Sequence, residues 1–174
     1  MLIRTIQFTL FFALAIMLSA CTKTSDTTYY IVRHAEKADK TRDTPLSAAG
    51  HARAEALRDT LMSQDITKIF VTDYQRTQQT VAPLATELGI TPTEVFANQT
   101  PELVQQLKAI KGGNVLIAGH SNTVPEIIDE LMESPQNVVI TEQGFDNLFK
   151  VKITKNDDEE RRDFIQLTYG VPTQ

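Results

Sequence analysis

The stretch Tyr29-Tyr30-Ile31-Val32-Arg33-His34 constrains this chain more than any other. Four aromatic or β-branched residues in succession present no polar face, so they read as a strand buried on both sides. That run ends on a cation and an imidazole, which would be costly inside a sheet. In an open α/β sheet, ligands bind beyond the carboxyl ends of the strands, and Arg33 and His34 fall at such an end.

Two further strands end in the same manner. Ile66 to Val71 runs into Thr72-Asp73-Tyr74-Gln75-Arg76 and a helix reaching about Leu88, with Gly89 as its stop. Arg76 then sits in the first turn of that helix, where a lone cation opposes the macrodipole and a bound anion reverses the penalty. Asn114 to Gly119 is the third buried strand, ending on His120-Ser121-Asn122-Thr123. Ser121, Asn122 or Thr123 can cap the helix that follows, Pro125 suits its first turn, and its free N–H groups suit an anion.

The intervening segments read as connectors and covering helices. Ser47 is the N-cap of a helix with Ala49, Ala52, Ala56, Leu57 and Leu61 on its apolar side. Arg53, Glu55, Arg58 and Asp59 fall largely elsewhere on it, and His51 reads as surface. Thr91 to Phe96 holds a short strand, and Leu103, Leu107 and Ile110 give Pro101 to Ala109 helical spacing. From Asn147 to Thr154 and from Phe164 to Tyr169 two strands form an edge hairpin, joined by the acidic turn Lys155 to Asp163. The expected fold is α/β: a mostly parallel twisted sheet with helices on both faces and a C-terminal antiparallel hairpin.

In a parallel sheet, Arg33-His34, Arg76 and His120 can converge on one edge. Two guanidiniums match the oxygens of a phosphate, and a neutral imidazole nitrogen is a competent nucleophile towards phosphorus. Phosphoryl transfer needs mainly positioning and charge stabilisation, which cationic side chains supply without metal. Neighbouring arginines also disfavour imidazolium at His34.

Val32-Arg33-His34-Ala35-Glu36, Arg76-Thr77-Gln78-Gln79-Thr80 and Gly119-His120-Ser121-Asn122-Thr123 together resemble the signatures of the histidine phosphatase superfamily. The similarity is to its phosphoglycerate-mutase-like branch, in small bacterial members with Ala35 where the family loop usually has Gly, and it extends from about Tyr29 to Val151. It implies that His34 becomes phosphorylated as a covalent intermediate, which water then hydrolyses. Arg33, Arg76 and His120 would hold the phosphoryl group, joined by Ser121 and Asn122, with no metal or other cofactor expected. The implied class is a phosphoric monoester hydrolase of the histidine acid type. A phosphomutase and a phosphate-binding module without turnover are the alternatives. The proton donor is open: Glu94, and further on Glu102, follow the third strand, and Glu36 lies beside His34. Substrates implied are a phosphorylated small molecule, a lipid headgroup or a phosphoprotein.

The first residues carry a separate signal. Arg4 is followed by an apolar run from Leu10 to Leu18, well short of the roughly 20 residues that span a bilayer. It fits the apolar region of a secretory signal, and Leu18-Ser19-Ala20-Cys21 resembles a lipoprotein cleavage site. The expected division is residues 1–20 as signal peptide, 21–28 as lipidated Cys21 with a short polar tether, and 29–174 as the phosphatase domain. Cys21 is the sole cysteine, so it has no intramolecular disulfide partner. A formal charge of −5 without Lys/Arg clusters argues against nucleic acid, and leaves membrane attachment to the lipid. The expected location is the periplasmic face of the cell envelope, at the outer membrane in a Gram-negative organism because Thr22 follows the cysteine.

Overall fold

In the computed structural model, residues 24–173 are described; the expected signal peptide and Cys21 lie outside them. The elements in chain order are β1 (Ser25–Arg33), α1 (Ala48–Leu61), β2 (Ile66–Thr72), α2 (Gln75–Leu88), β3 (Thr93–Val95), α3 (Thr100–Lys108), β4 (Gly113–Gly119), α4 (Thr123–Met132), β5 (Asn147–Lys155) and β6 (Glu160–Thr168). They build one six-stranded sheet in the order β3-β2-β4-β1-β5-β6. The four strands from β3 to β1 run parallel, and β5 and β6 add the antiparallel hairpin at one edge. The expected fold class is the observed one.

The doubly apolar first strand works as its composition requires. Successive side chains point to opposite faces. Tyr29 and Ile31 therefore join Phe70, Val115 and Ile117 beneath α3 and α4, while Tyr30 and Val32 join Val71, Leu116 and Ala118 beneath α1 and α2. Each face is a separate apolar layer, and the central strands must be hydrophobic in both directions to belong to the two at once. Gly89 ends α2 in the left-handed conformation, at φ 64°, a geometry that glycine adopts without a Cβ penalty.

Four local expectations change. β1 begins at Ser25, so the end of the polar tether is strand, with Thr27 and Thr28 buried between β4 and β5. The buried side of α1 lies one position round from the expected one: Gly50, Arg53, Ala54, Leu57 and Leu61 are inside, whereas Ala49 and Ala52 are exposed. A buried arginine is tolerated because its charge is paired. Glu36 forms the ion pair at 2.8 Å, and the carbonyls of Tyr169 and Val171 accept from the same guanidinium at 3.2 and 3.0 Å. The hairpin turn contracts because Glu160 to Asp163 enter β6, an edge strand whose outer side faces solvent and accepts charge. Finally, no side chain caps α4; Thr123 instead accepts from the backbone N–H of His120 at 3.0 Å.

Candidate active site

The parallel register brings the ends of β1, β4 and β2 to one edge: Arg33 lies opposite Gly119, and Val71 opposite Ala118. β4 was inserted between β1 and β2 after the chain had passed over that position, so the edge above it is a crossover crevice of the kind that binds ligands. The backbone N–H of His34 donates to the Gly119 carbonyl at 2.9 Å, locking the two histidine loops together. Gly119 permits this tight turn, since a Cβ there would lie 2.9 Å from Thr123 Oγ1. A cavity of about 670 Å³ opens above, lined among others by Arg33, His34, Arg76, His120, Ser121 and Asn122. The four charged and imidazole side chains expected to converge do so, with the two rings 5.4 Å apart between centroids.

Hydrogen bonds define the tautomer of each imidazole. His34 Nδ1 lies 2.8 Å from the carbonyl oxygen of Ala35. A carbonyl only accepts, so Nδ1 carries the proton and Nε2 keeps its lone pair. Burial pushes His34 down to about 3, with the charges of Arg33, His120 and Arg76 acting in the same direction against the Ala35 hydrogen bond. The ring is neutral across the physiological range, the state in which an imidazole nitrogen is chemically able to act as a nucleophile. His120 has the opposite tautomer. Arg76 Nη2 can only donate to its Nδ1, at 3.4 Å, so Nε2 carries the proton and donates to Thr72 Oγ1 at 2.9 Å. Thr72 hands the chain on to Thr77 Oγ1 at 2.8 Å, which donates to the carbonyls of Thr72 and Tyr74. Burial first, then Arg76, lowers His120 to about 4.

The two arginines are held in place but not exhausted. Arg33 lies over the Phe145 ring at 4.3 Å, and its Nη1 donates to the carbonyls of Thr141 and Glu142 at 2.7 and 2.9 Å. Arg76 lies over Tyr74 at 4.1 Å and donates from Nη1 to the carbonyl of Arg42 at 2.8 Å. Burial lowers the proton affinity of both guanidiniums. Among the described residues, each also keeps a buried Nε–H without a hydrogen-bond partner, the kind of donor an anion satisfies.

The carboxylates considered as proton donors sit elsewhere. Glu36 is turned away to Arg53 Nε, accepting at 2.9 and 3.0 Å. Glu94 is exposed on β3 and accepts from Gln78 Nε2 at 2.8 Å, and Glu102 is exposed in the first turn of α3. The carboxylate lining the cavity is Glu142, in the irregular segment between α4 and β5. No local pattern marks that segment, because its contact with Arg33 spans more than a hundred residues of chain. Thr77 stands within the Arg76 to Thr80 signature, but no local pattern ties it or Thr72 to His120; their position at a strand end facing the second histidine loop is the available cue. Lys37 and Lys40 complete the cavity wall. Among the described residues, no three His, Cys, Asp or Glu side chains gather in a way that could hold a metal ion.

Residues 29–100 match the model of the histidine phosphatase superfamily, branch 1. The resemblance read from the motifs is thereby shown over Arg33-His34 and Arg76 to Thr80, and His120 lies beyond the matched span. No curated protein sequence matches the chain. Solved structures share the fold. "Mycobacterial hydrolase 2" superposes with a TM-score of 0.69 at 14% identity, over 85% of this chain and 94% of that one. The protein histidine phosphatase SixA, complexed with tungstate, gives 0.60 at 19% identity, over 81% and 96%. Mycobacterial glucosyl-3-phosphoglycerate phosphatase with inorganic phosphate gives 0.64 at 14% identity, over 79% and 95%.

Proposed function

We propose that this chain is a phosphohydrolase of the cell envelope that removes a phosphoryl group through a phosphohistidine at His34. The observation that carries the reading is the neutral His34 imidazole, oriented by Ala35 with Nε2 unprotonated, beside two guanidiniums that each retain a free buried donor. A module that only bound phosphate would have no use for that tautomer. The family match and the structural neighbours, two of them phosphatases, support the same class.

In the first step His34 Nε2 attacks phosphorus, the N–P bond forms and the bond to the leaving oxygen breaks. The proton on Nδ1 stays there, held in its hydrogen bond to the Ala35 carbonyl. Arg33, Arg76 and His120 stabilise the charge on the transferring oxygens, where fixed donors lower the barrier without reorganising. Glu142, the carboxyl group at the cavity wall, supplies the proton to the leaving oxygen. In the second step Glu142 takes a proton from the attacking water, the P–N bond breaks, and phosphate leaves with His34 neutral again.

The test is hydrolysis of para-nitrophenyl phosphate by the full chain in detergent, with EDTA present and His34→Ala beside it. Metal-independent turnover, abolished in the variant, together with an acid-labile phosphate mapped to His34 during turnover, is the expected result. Undiminished turnover in His34→Ala would sink the covalent mechanism. Envelope attachment rests on the Leu18 to Cys21 pattern, so Cys21→Ser should move the protein from the membrane fraction to the soluble one. A variant that still pellets with membranes removes the lipid anchor from the reading.

A further inference from the structure

The cavity presents more positive charge than one phosphoryl group needs. Among the described residues, Arg33, Arg76, Lys37 and Lys40 line it against one carboxylate, Glu142, in a chain whose formal charge is −5. A phosphoryl dianion offsets the two arginines and Glu142 one further cation, so net positive charge remains on the lysine side of the cavity. At about 670 Å³, the space is in the range of small-molecule sites rather than of one inorganic ion.

The lysines belong to a built wall. They sit on the loop between β1 and α1, whose two arms are joined by the N–H of Ala38 on the Pro45 carbonyl and the N–H of Ser47 on the Glu36 carbonyl, both at 2.9 Å. Its far side is tied to α2: Gln75 N–H donates to Asp43 at 2.9 Å, Gln79 Oε1 accepts from Leu46 N–H at 2.7 Å, and Arg76 holds the Arg42 carbonyl. The nearby Asp39 is occupied by the loop itself, accepting from the N–H and hydroxyl of Thr41 at 2.7 and 2.6 Å. Among the described residues, neither lysine is in an ion pair. Lys37 lines the same cavity as His34 and His120.

We propose that Lys37 and Lys40 form a second anion subsite, and that the substrate carries, besides the phosphoryl group transferred, a carboxylate or second phosphoryl group on the part that leaves. This rests on the phosphohydrolase reading for the word substrate, but the subsite itself is tested by binding alone. Calorimetry with the full chain would compare methylphosphonate, phosphonoacetate and methylenediphosphonate at about pH 8.5, where every phosphonate and carboxylate group carries charge and the lysines stay protonated. The two ligands with a second anion differ in whether it is a carboxylate or a phosphoryl group, and the tighter one identifies the class. At least one should bind roughly tenfold more tightly than methylphosphonate, the scale of a charged hydrogen bond. The Lys37→Gln/Lys40→Gln variant should bring that ratio close to one. Lys68→Gln/Lys111→Gln, the same change in net charge at exposed positions away from the cavity, should leave the ratio standing. Equal affinities in the unmodified chain, no binding of any ligand, or a preference that survives in the Lys37/Lys40 variant overturns the subsite. Absence of para-nitrophenyl phosphate hydrolysis with the binding preference intact overturns the phosphohydrolase reading instead.

Discussion

Glu142 and Glu36 illustrate how little a carboxylate's place in the sequence says about its use. Glu36 follows His34 by two positions, yet its side chain is committed to Arg53 on the other side of the loop. Glu142 arrives from a distant segment and lines the cavity. If it donates the proton in the first step, Glu142→Gln should slow hydrolysis of alkyl phosphates by roughly 10²-fold or more, the usual worth of a positioned acid. Aryl phosphates leave without help, so para-nitrophenyl phosphate should lose far less. Equal losses on the two substrate types, measured as kcat/KM, would remove Glu142 from proton transfer and leave it a binding role at most.

At the level of elements, the active edge depends on how α1 docks. Gly50 in its first turn lies against the backbone of Glu36, and a Cβ there would drive into the Glu36 carbonyl oxygen. The Gly50 N–H is also the one that Ser47 Oγ caps, at 3.1 Å. Gly50→Ala must therefore lift the helix from the loop that carries His34. Overpacking of this kind costs about 1–3 kcal/mol, to be read from the urea midpoint. Because Glu36 is joined to His34 through Ala35 alone, turnover should fall alongside stability. A variant as stable as the parent would show that α1 does not fix the loop.

The whole molecule records its buried histidines as a pH dependence of stability. His34 and His120 have their proton affinities depressed to about 3 and 4, against 6.5 in an unfolded chain. Between those values the unfolded chain binds more protons than the folded one, so stability falls as the pH falls. The contribution is fully present above 6.5 and declines by about 1.4 kcal/mol per pH unit for each histidine inside the window. Urea melts at stepped pH should show this slope, and His34→Asn should flatten it. An unchanged slope in the variant would mean that His34 is already protonated in the fold.

Local chemistry determined the α/β fold, the three strand ends and the convergence of Arg33, His34, Arg76 and His120. Doubly apolar strands specify a covered parallel sheet, and parallelism alone delivers their carboxyl ends to one edge. The tertiary structure decided what periodicity could not. Arg53 is inside because Glu36 and the carbonyls of Tyr169 and Val171 satisfy it, partners that its own helix does not contain. The imidazole tautomers depend on Ala35, Arg76 and Thr72, and only the folded register brings Arg76 and Thr72 against His120. Lys37, Lys40 and Glu142 became cavity residues because their loops are pinned by contacts with α2 and Arg33. Short-range patterns encode which side chains can be buried. Which of the polar ones face one another is fixed only when distant segments close around the same edge.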